Sequence, residues 1–521
     1  MRLHDFLEFH ARERPDVDFA VMGDRRLSYA EADARANQLA NAFIEAGLRK
    51  GDRFVYLSKN SLEYPIVYFA ASKAGVALVP LNYRLAPPEW AYIVNDSQSK
   101  MLLSSGEYME GIDGIRGELE TVDRYVAVDR DGGSGWEGFR AWVDGQPDSR
   151  PDREVDDRDD LYQMYTSGTT GRPKGAVLAH AAVTTHMAQI SQLFSLDSGD
   201  RDLIIAPLYH AAAAVTAFVV VSLGGTLVIQ EEFVPPDVVQ ALSEGNIAHT
   251  TMVPAMIQAC LVLVPDVAER NYDTLKGITY GASPVAEQTL RRAMEVFKCD
   301  FIQAYGMTEL TAVATFLSPS DHQRALESKP DLLLSAGRPI VGTEIRIVDE
   351  DDHDVPNGTI GEIIVKGPQV MKGYWNLPEE TDEALRGGWM HTGDAGVVDD
   401  EGFVYIQDRV KDMIVSGGEN VYPRMVEDVL FTHPTVADCA VIGVPDPQWG
   451  ETVKAVVVLR EGATATAEEI MDFCRGKLGG FERPTSVDFV ADLPRNATGK
   501  VLKRVLREPY WEGHGRRVAG V

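Results

Sequence analysis

Strand and helix patterns alternate along the first part of the chain, and this alternation limits the possible folds more than any other feature. Residues 29–46 carry apolar side chains at helical spacing, and 53–59 are typical of a strand. A second helical pattern covers 61–75, and 77–82 are again typical of a strand. Alternation of this kind is characteristic of sheets with helices packed on their faces. We therefore predict an α/β fold.

The pattern changes twice toward the C-terminus. Between about 335 and 408, short alternating segments (EIRIVDE, GEIIVKG, GFVYIQD) are separated by Asp and Gly turns, which predicts a β-rich subdomain. The α/β pattern then returns over a stretch long enough for a small separate domain. We predict a large N-terminal domain of α/β-layered sheets, 1–408, a hinge at 409–411, and a small mobile α+β C-terminal domain, 412–521.

Composition limits the partners and the compartment. The formal net charge of −29, from 79 acidic and 50 basic residues, repels nucleic acid and anionic membranes, so we expect neither as a partner. Cys260, Cys299, Cys439 and Cys474 are widely spaced, without the pattern of a disulfide framework or a zinc site. The N-terminus lacks the apolar region of a secretory signal. We therefore expect a cytoplasmic protein.

The longest apolar run, residues 211–229, approaches the length of a membrane span. A serine and two adjacent glycines interrupt it, and a buried helix followed by a glycine turn and a buried strand explains it better. We predict no transmembrane segment.

Residues 165–175, YTSGTTGRPKG, concentrate glycine, hydroxyl and cationic groups. The spacing is not that of a Walker loop, because Pro173 stands where that motif has its second glycine. Glycines at 168, 171 and 175 would leave backbone amides free to converge on an anion, while hydroxyls and a lysine add donors and positive charge. The segment predicts a phosphate-binding loop with the contacts Thr166, Ser167, Gly168, Thr169, Thr170, Gly171 and Lys174.

Other glycine-punctuated segments follow in order, GITYGASP (277–284), FIQAYGMTE (301–309), GWMHTGDAG (388–396), DRVKDMIVSGGENVYP (408–423) and LPRNATGKVLKR (493–504). Together with YTSGTTGRPKG they resemble the motifs of the adenylate-forming superfamily, which comprises acyl-CoA synthetases, aryl-CoA ligases, nonribosomal adenylation domains and luciferases. The resemblance covers most of the chain and favours the acyl-CoA synthetase branch.

This resemblance implies a reaction in two steps. A carboxylate attacks the α-phosphorus of ATP, giving acyl-adenylate and pyrophosphate, and the thiol of coenzyme A then displaces AMP to give a thioester. The first step joins two anions, so cationic groups and Mg²⁺ must stabilise the transition state. The implied cofactors are ATP, Mg²⁺ and coenzyme A, and the partner is a small-molecule carboxylic acid. A homodimer is compatible with the resemblance, because dimers are common among such enzymes.

The resemblance also implies a role for each motif. Glu309, with Thr166 as its hydroxyl companion, would hold Mg²⁺, and Thr308 would bind the α-phosphate. Lys500 would place its ammonium between the carboxylate and the α-phosphate. The residues around the adenine and at the start of the acyl pocket would be Gly281, Ala282, Ser283, Gln303, Ala304, Tyr305, Gly306 and Met307. Asp394 would bind the ribose, helped by Arg409.

Lys411 would be the hinge about which the C-terminal domain swings between the half-reactions. The swing would withdraw Lys500 and bring in Gly418, which would line the pantetheine tunnel because a side chain there would obstruct a thin chain. Asn420 stands where relatives often carry Gln or Trp, and Glu482 replaces a common lysine, which leaves the contacts to the CoA nucleotide open.

The pocket for the acid would be lined by four residues outside the nucleoside segments, Tyr209, His210, Ala211 and Val253, and by Gly281, Ala304, Gly306 and Met307 within them. Because small and apolar residues dominate, we expect an uncharged medium-chain or aromatic acid. No acidic residue in 206–218 is available to bind an α-amino group. Two alternatives stay open: a stand-alone adenylation enzyme that loads a carrier protein or another acceptor, and a non-catalytic member of the family.

Overall fold

The computed structural model describes residues 1–166, 172–283, 285–409, 412–416, 419–495 and 501–511, with the side chains of 408, 409, 419 and 420 left out. It divides into two compact units, one formed by Met1–Ile345 and Val365–His391 and the other by Arg346–Ile364 and Thr392–Val521. The predicted α/β fold class is confirmed. The domain boundaries given above stay predictions.

The strands are, in chain order, β1 (Asp18–Met22), β2 (Arg25–Ser28), β3 (Arg53–Leu57), β4 (Ala77–Leu81), β5 (Met101–Ser104), β6 (Arg124–Ala127), β7 (Gly132–Gly133), β8 (Trp136–Gly138), β9 (Asp160–Thr166), β10 (Lys174–Ala179), β11 (Arg201–Ile204), β12 (Thr226–Ile229), β13 (His249–Met252), β14 (Gly277–Gly281), β15 (Asp300–Tyr305), β16 (Thr315–Leu317), β17 (Arg338–Pro339), β18 (Glu344–Val348), β19 (Gly361–Lys366), β20 (Gly373–Tyr374), β21 (Met390–Val398), β22 (Val404–Arg409), β23 (Ile414–Ser416), β24 (Glu419–Val421), β25 (Val436–Asp446), β26 (Gly450–Leu459) and β27 (Ser486–Phe489).

The α-helices are α1 (Leu3–Glu13), α2 (Tyr29–Glu45), α3 (Glu63–Ala74), α4 (Pro87–Asp96), α5 (Met109–Ile115), α6 (Phe139–Val143), α7 (His180–Ile190), α8 (Ala211–Ser222), α9 (Pro235–Glu244), α10 (Pro254–Leu263), α11 (Glu287–Phe297), α12 (Pro319–Glu327), α13 (Pro378–Ala384), α14 (Pro423–Phe431), α15 (Ala467–Phe473) and α16 (Lys503–Trp511).

Two nine-stranded sheets form the first unit. The first sheet has the order β17-β16-β15-β14-β13-β11-β12-β1-β2, and the six strands from β15 to β1 in this order are parallel to one another. The second sheet has the order β20-β10-β9-β4-β3-β5-β6-β8-β7. The carboxyl ends of neighbouring parallel strands lie at one edge of a sheet, which is where ligands bind in such folds.

Helix α3 lies between the two sheets. Its Phe69 contacts Phe19 of β1 in the first sheet, with ring centroids 6.0 Å apart, and its Tyr68 contacts Tyr162 of β9 in the second, at 6.1 Å. Tyr68 also packs against Phe218 of α8 at 5.0 Å. Nearly every residue of α3 and α8 is buried. Helix α8 is apolar on all sides, and α3 is largely apolar, with its buried Lys73 paired with Glu8 and Asp33. Burial between two sheets satisfies that pattern.

The apolar run at 211–229 folds as predicted, with α8 followed by a turn at Gly224 and the strand β12. The φ angle of Gly224 is +71°, in the left-handed region that favours glycine. Among the described helices, none combines the length and the apolar character that crossing a bilayer requires.

The second unit contains a four-stranded sheet, β18-β19-β21-β22, in which some strands also reach into the first unit, and a separate sheet with the order β24-β23-β26-β25 and β27 beside β26. Helices cover both faces of the second of these sheets. Alternate residues of β25 point to opposite faces and so belong to different cores. Val441 belongs to one core with Val426 and Leu430 of α14, whereas Ile442 belongs to another against which Leu506 of α16 packs.

Candidate active site

The Glu309 carboxylate lies beyond the carboxyl end of β15, on a single 3₁₀ turn, Thr308–Leu310. The residue is 4% exposed. Its Oε1 accepts hydrogen bonds from Thr166 Oγ1 at 3.1 Å and from the Tyr374 hydroxyl at 2.9 Å. Among the described residues no group donates to Oε2. One carboxylate oxygen is therefore held in place while the other is available to a cation.

Thr166 ends β9 and Lys174 begins β10, and the two residues are paired across an antiparallel hairpin. The loop between them was predicted to bind phosphate, and its Ser167, Gly168, Thr169, Thr170 and Gly171 lie outside the described residues. The structure brings the first and last members of the predicted loop together, on the second sheet, next to Glu309 from the first sheet.

Gly175 belongs to strand β10 rather than to the loop. A Cβ at this position would lie 2.5 Å from the side-chain nitrogen of Gln163, so close packing accounts for this glycine. Its carbonyl accepts a hydrogen bond from the backbone of Trp375 at 2.8 Å.

No sequence pattern singled out Tyr374, although the structure places it at the centre of this cluster. It belongs to the two-residue strand β20, which pairs with β10 so that Tyr374 lies opposite Ala176. The ring centroid is 5.2 Å from the Lys174 Nζ, within the range of a cation–π contact. Tyr374 thus contacts both the acidic and the basic residue of the site.

The segments predicted to hold adenine lie side by side, because β14 and β15 are parallel and pair Gly281 with Ala304. A Cβ on Gly281 would lie 2.0 Å from the Ala304 carbonyl oxygen, and one on Gly306 would lie 2.1 Å from the Ala312 carbonyl oxygen. Both positions therefore require glycine. Ala282 follows with a φ of +64°, an uncommon conformation for a residue with a side chain.

The other residues predicted to hold adenine lie next to Gly281 and Gly306 along the chain. Tyr305 ends β15 with 8% exposure, and Gln303 lies two residues before it. The buried Oε1 of Gln303 has no hydrogen-bond partner among the described residues. Ser283 and Met307 are each partly exposed. Buried polar atoms are normally satisfied, so an unpartnered one marks a position where a ligand can supply the missing bond.

Three of the four predicted pocket residues outside the nucleoside segments come together at the start of α8. Tyr209 and His210 precede the helix and Ala211 begins it, while Val253 precedes α10 at the end of β13. The rings of Tyr209 and His210 lie 4.3 Å apart, and Tyr83 meets Tyr209 edge-on at 5.5 Å. Among the described residues, nothing hydrogen-bonds the Tyr209 hydroxyl or the His210 Nε2, both of which are buried.

Burial of the ring lowers the pKa of His210 to about 4, and the charge of Arg84 acts in the same direction. Burial also raises the pKa of Tyr209 well above that of an ordinary tyrosine. Both side chains are therefore neutral at neutral pH, and each presents a hydrogen-bonding atom without a charge.

A second polar cluster lies within the first sheet. Asp202 Oδ1 is 2.6 Å from His249 Nδ1, and His249 Nε2 is 2.9 Å from Thr279 Oγ1. The order of groups resembles that of a hydrolase triad, but all three residues are buried and link β11, β13 and β14. The cluster joins β11, β13 and β14, and in β13 and β14 it lies on the N-terminal side of Val253 and Gly281.

In the second unit, Asp394 of β21 lies opposite Arg409 of β22 in the antiparallel register. Asp394 is 5% exposed, and its backbone nitrogen donates to Thr392 Oγ1 at 3.1 Å. The predicted contact of these two residues with ribose stays a prediction.

Three other predicted residues of this unit fall on parts of the chain that the structure does not describe. Lys411, Gly418 and Lys500 lie outside the described residues. The backbone of Asn420 pairs with Val415 across β23 and β24. Glu482, which stands where relatives carry lysine, accepts a hydrogen bond from the backbone nitrogen of Gly479 at 2.7 Å. This acid therefore closes its own turn.

Among the described residues, no group of three or more His, Cys, Asp or Glu side chains could hold a metal ion. The site around Glu309 offers one carboxylate and one hydroxyl. That set fits Mg²⁺ bound through a single carboxylate together with phosphate oxygens and water, rather than a metal enclosed by protein ligands.

Comparisons with known proteins agree along the whole chain. The sequence model of the AMP-binding enzyme family matches residues 7–375, and that of the AMP-binding enzyme C-terminal domain matches residues 425–500. The fatty acid–[acyl-carrier-protein] ligase ScoC of Streptomyces coeruleorubidus is 36% identical over 98% of this chain and 96% of the relative. A feruloyl-CoA synthase of an Amycolatopsis species is 37% identical over 96% of this chain and 97% of the relative. The solved structure of a Mycobacterium tuberculosis fatty acyl CoA synthetase is similar with a TM-score of 0.78, at 33% identity over 98% of this chain and 99% of that chain.

Proposed function

This chain belongs to the AMP-binding enzyme family, and on that premise we propose that it ligates a hydroxylated aromatic carboxylic acid to coenzyme A. It is an acyl-CoA ligase that uses ATP to form the acyl-adenylate and then the thioester. The finer points proposed here are the acid, the metal and the roles of individual residues.

The cluster around Glu309 supports a metal-assisted first step. Glu309, with Thr166 beside it, would hold Mg²⁺, which supplies positive charge at the phosphates. Lys174 would bind the leaving pyrophosphate through its ammonium. The chain as a whole carries a net charge of −29, which repels a nucleotide. Local positive charge at this hairpin is therefore what brings an anionic nucleotide to an acidic protein.

The remaining roles follow the family resemblance. The adenine would bind beside Gly281, where the glycines let two backbone segments approach closely. Thr308 would bind the α-phosphate. Asp394 would accept the ribose hydroxyls, and Lys500 would neutralise the charge between the carboxylate and the α-phosphate.

One observation carries the choice of acid, namely that Tyr209 and His210 each present a buried polar atom without a partner at the predicted pocket. A buried unsatisfied polar group destabilises a protein by about 1–3 kcal/mol, so a pocket for a plain alkyl chain gains nothing from two of them. The neighbouring rings supply edges and faces on which an aromatic acid can pack. A relative named feruloyl-CoA synthase, whose acyl group is a hydroxylated aromatic one, supports the same choice.

The experiment is ATP–pyrophosphate exchange with matched acids, cinnamate against 4-hydroxycinnamate and benzoate against 4-hydroxybenzoate, with octanoate as the aliphatic comparison. We expect exchange with the aromatic acids, a higher kcat/KM for each hydroxylated member, and a CoA thioester with one AMP for each acid consumed. A higher kcat/KM for octanoate than for every aromatic acid would refute the proposed substrate class.

Acceptor choice is tested in the same assay. The relative ScoC is named as a ligase to an acyl carrier protein, so a carrier protein is the second candidate acceptor. Adenylate formation without a CoA thioester, followed by acylation of an added phosphopantetheinylated carrier, would favour that candidate.

A cytoplasmic location belongs to the same proposal and is supported by four cysteines, none of which forms a disulfide. The homodimer stays a prediction.

A further inference from the structure

We infer that Tyr374 is a positioning residue that holds Glu309 through its hydroxyl and Lys174 through its ring, and so keeps these opposite charges from pairing with each other. Its hydroxyl lies 2.9 Å from Glu309 Oε1, and its ring centroid lies 5.2 Å from Lys174 Nζ. Tyr374 acts here through the Mg²⁺ site proposed above, on which this role depends.

The backbone around Tyr374 fixes it between the two charged residues. The nitrogen of Met371 donates to the Glu309 carbonyl at 2.8 Å, which joins this segment to the turn that carries the acid. The nitrogen of Trp375 donates to the Gly175 carbonyl at 2.8 Å, which joins it to the hairpin that carries the lysine. Tyr374 thus lies on a five-residue bridge, 371–375, between the first and the second sheet.

The side chain of Tyr374 has limited freedom on that bridge. Its backbone nitrogen donates to Thr381 Oγ1 at 2.9 Å, and its position opposite Ala176 in the strand pairing fixes the side on which the ring lies. A ring held by backbone bonds on both sides can position other groups, because little entropy is lost when they bind to it.

A phenol suits this position because it is neutral. If Lys174 bound Glu309 directly, the ion pair would neutralise the charge that attracts Mg²⁺ and the charge that attracts phosphate. The phenol donates one hydrogen bond to the carboxylate and leaves its negative charge intact, while the ring face attracts the ammonium without neutralising it. Among the described residues, Lys174 has no carboxylate within ion-pair distance, as this role requires.

The test measures binding, not turnover. Calorimetry with α,β-methylene-ATP, whose bridge between the α- and β-phosphorus cannot be cleaved and which therefore forms no acyl-adenylate, gives the nucleotide affinity with and without Mg²⁺. Glu309→Gln sets the reference, because it should abolish the gain in affinity that Mg²⁺ produces. If Glu309→Gln keeps the full gain, the proposed Mg²⁺ site is wrong, whatever Tyr374 does.

Two substitutions separate the two functions of Tyr374. For Tyr374→Phe, which keeps the ring and removes the hydroxyl, we expect the Mg²⁺-dependent gain to fall about tenfold, with affinity in the absence of Mg²⁺ unchanged. For Tyr374→Leu, which removes both, we expect the same fall and a further loss of about threefold in the affinity measured without Mg²⁺.

Tyr92→Phe is the matched control. The hydroxyl of Tyr92 in α4 donates to the Pro173 carbonyl at 3.0 Å, so this substitution removes a tyrosine hydroxyl that binds the same hairpin and does not bind Glu309. We expect its Mg²⁺-dependent gain to equal that of the unaltered protein. If Tyr374→Phe keeps the gain that Glu309→Gln abolishes, or if Tyr92→Phe loses as much as Tyr374→Phe, the role inferred for Tyr374 is overturned.

Discussion

Replacing Tyr209 by phenylalanine should reduce the preference for a hydroxylated acid without reducing activity toward the unsubstituted one. Tyr209 is 5% exposed, and its ring packs against Tyr83 and His210, so phenylalanine keeps the packing and removes only the hydroxyl. Because the hydroxyl has no partner among the described residues, the substitution removes no hydrogen bond to any of them. The change therefore isolates the interaction with the acid.

The expected size follows from one hydrogen bond. A bond between neutral groups contributes about 0.5–1.5 kcal/mol, which corresponds to roughly 2- to 13-fold in kcat/KM. For Tyr209→Phe we expect the kcat/KM for 4-hydroxycinnamate to fall about fivefold and that for cinnamate to stay the same or rise. Removal of an unpartnered buried hydroxyl should also leave the free energy of unfolding unchanged or higher by up to about 1 kcal/mol.

The assay is pyrophosphate exchange at subsaturating acid, with urea unfolding of the same preparations. His210→Phe serves as the companion variant, since its Nε2 is the second unpartnered atom. An equal fall in kcat/KM for both cinnamates would refute the reasoning, because it would mean that Tyr209 supports the fold of the pocket and does not distinguish the acids. A lower free energy of unfolding would point to the same conclusion.

The dependence on pH adds an independent check. Because burial lowers the pKa of His210 from 6.5 to about 4, the neutral imidazole is present throughout the range from about pH 6 to about pH 9. The preference for the hydroxylated acid should therefore be constant over this range for an acid whose own ionisation does not change. A step in the preference near pH 6.5 would show that His210 titrates like an exposed histidine.

Other substitutions test the framework around the site. Gly306→Ala should lower the rate of exchange at least about tenfold, because its Cβ would lie 2.1 Å from the Ala312 carbonyl oxygen and the turn would have to shift. Lys73→Met should lower the free energy of unfolding by about 3–5 kcal/mol in urea titrations, because Lys73 is buried between two carboxylates at 2.7 and 2.8 Å that would lose their counter-charge. Lys500→Ala should abolish adenylate formation but spare thioester formation from supplied acyl-AMP, and equal loss of both steps would contradict a swinging domain.

Sequence alone predicted those parts of the candidate site that local pattern determines. The hairpin that pairs Thr166 with Lys174 follows from two strand patterns on either side of a glycine-rich loop. The positions of Gly281 and Glu309 follow from strands that end in turns, since the carboxyl ends of parallel strands lie at one edge. These features need only the neighbouring residues along the chain.

Long-range contacts determine the parts that sequence could not identify. Tyr374 reaches Glu309 because a two-residue strand pairs with β10, nearly two hundred residues earlier, and so short a strand has no periodicity to detect. Sequence also could not show that the Tyr209 hydroxyl lacks a hydrogen-bond partner among the described residues, because the partners of a tyrosine hydroxyl come from distant segments. From sequence, Gly281 is interpreted as a turn residue. The structure shows that glycine is required there because the carbonyl of Ala304 on the next strand leaves no room for a side chain.

The arrangement of the site also answers a difficulty that composition raises. An acidic protein must bind a polyanion, so a cation at the phosphate site has many carboxylates competing for it. Elsewhere in the first unit such pairing occurs, as with Lys276 between Asp197 and Asp200. Among the described residues, Lys174 avoids it because an aromatic ring, not an acid, is its neighbour, and the nearby acid Glu309 is bound by two neutral hydroxyls. If Glu309 holds the metal and Lys174 the phosphates, as proposed, neutral groups at this point preserve both charges for the nucleotide and its metal, and the tyrosine is then as specific to the chemistry as the charged residues beside it.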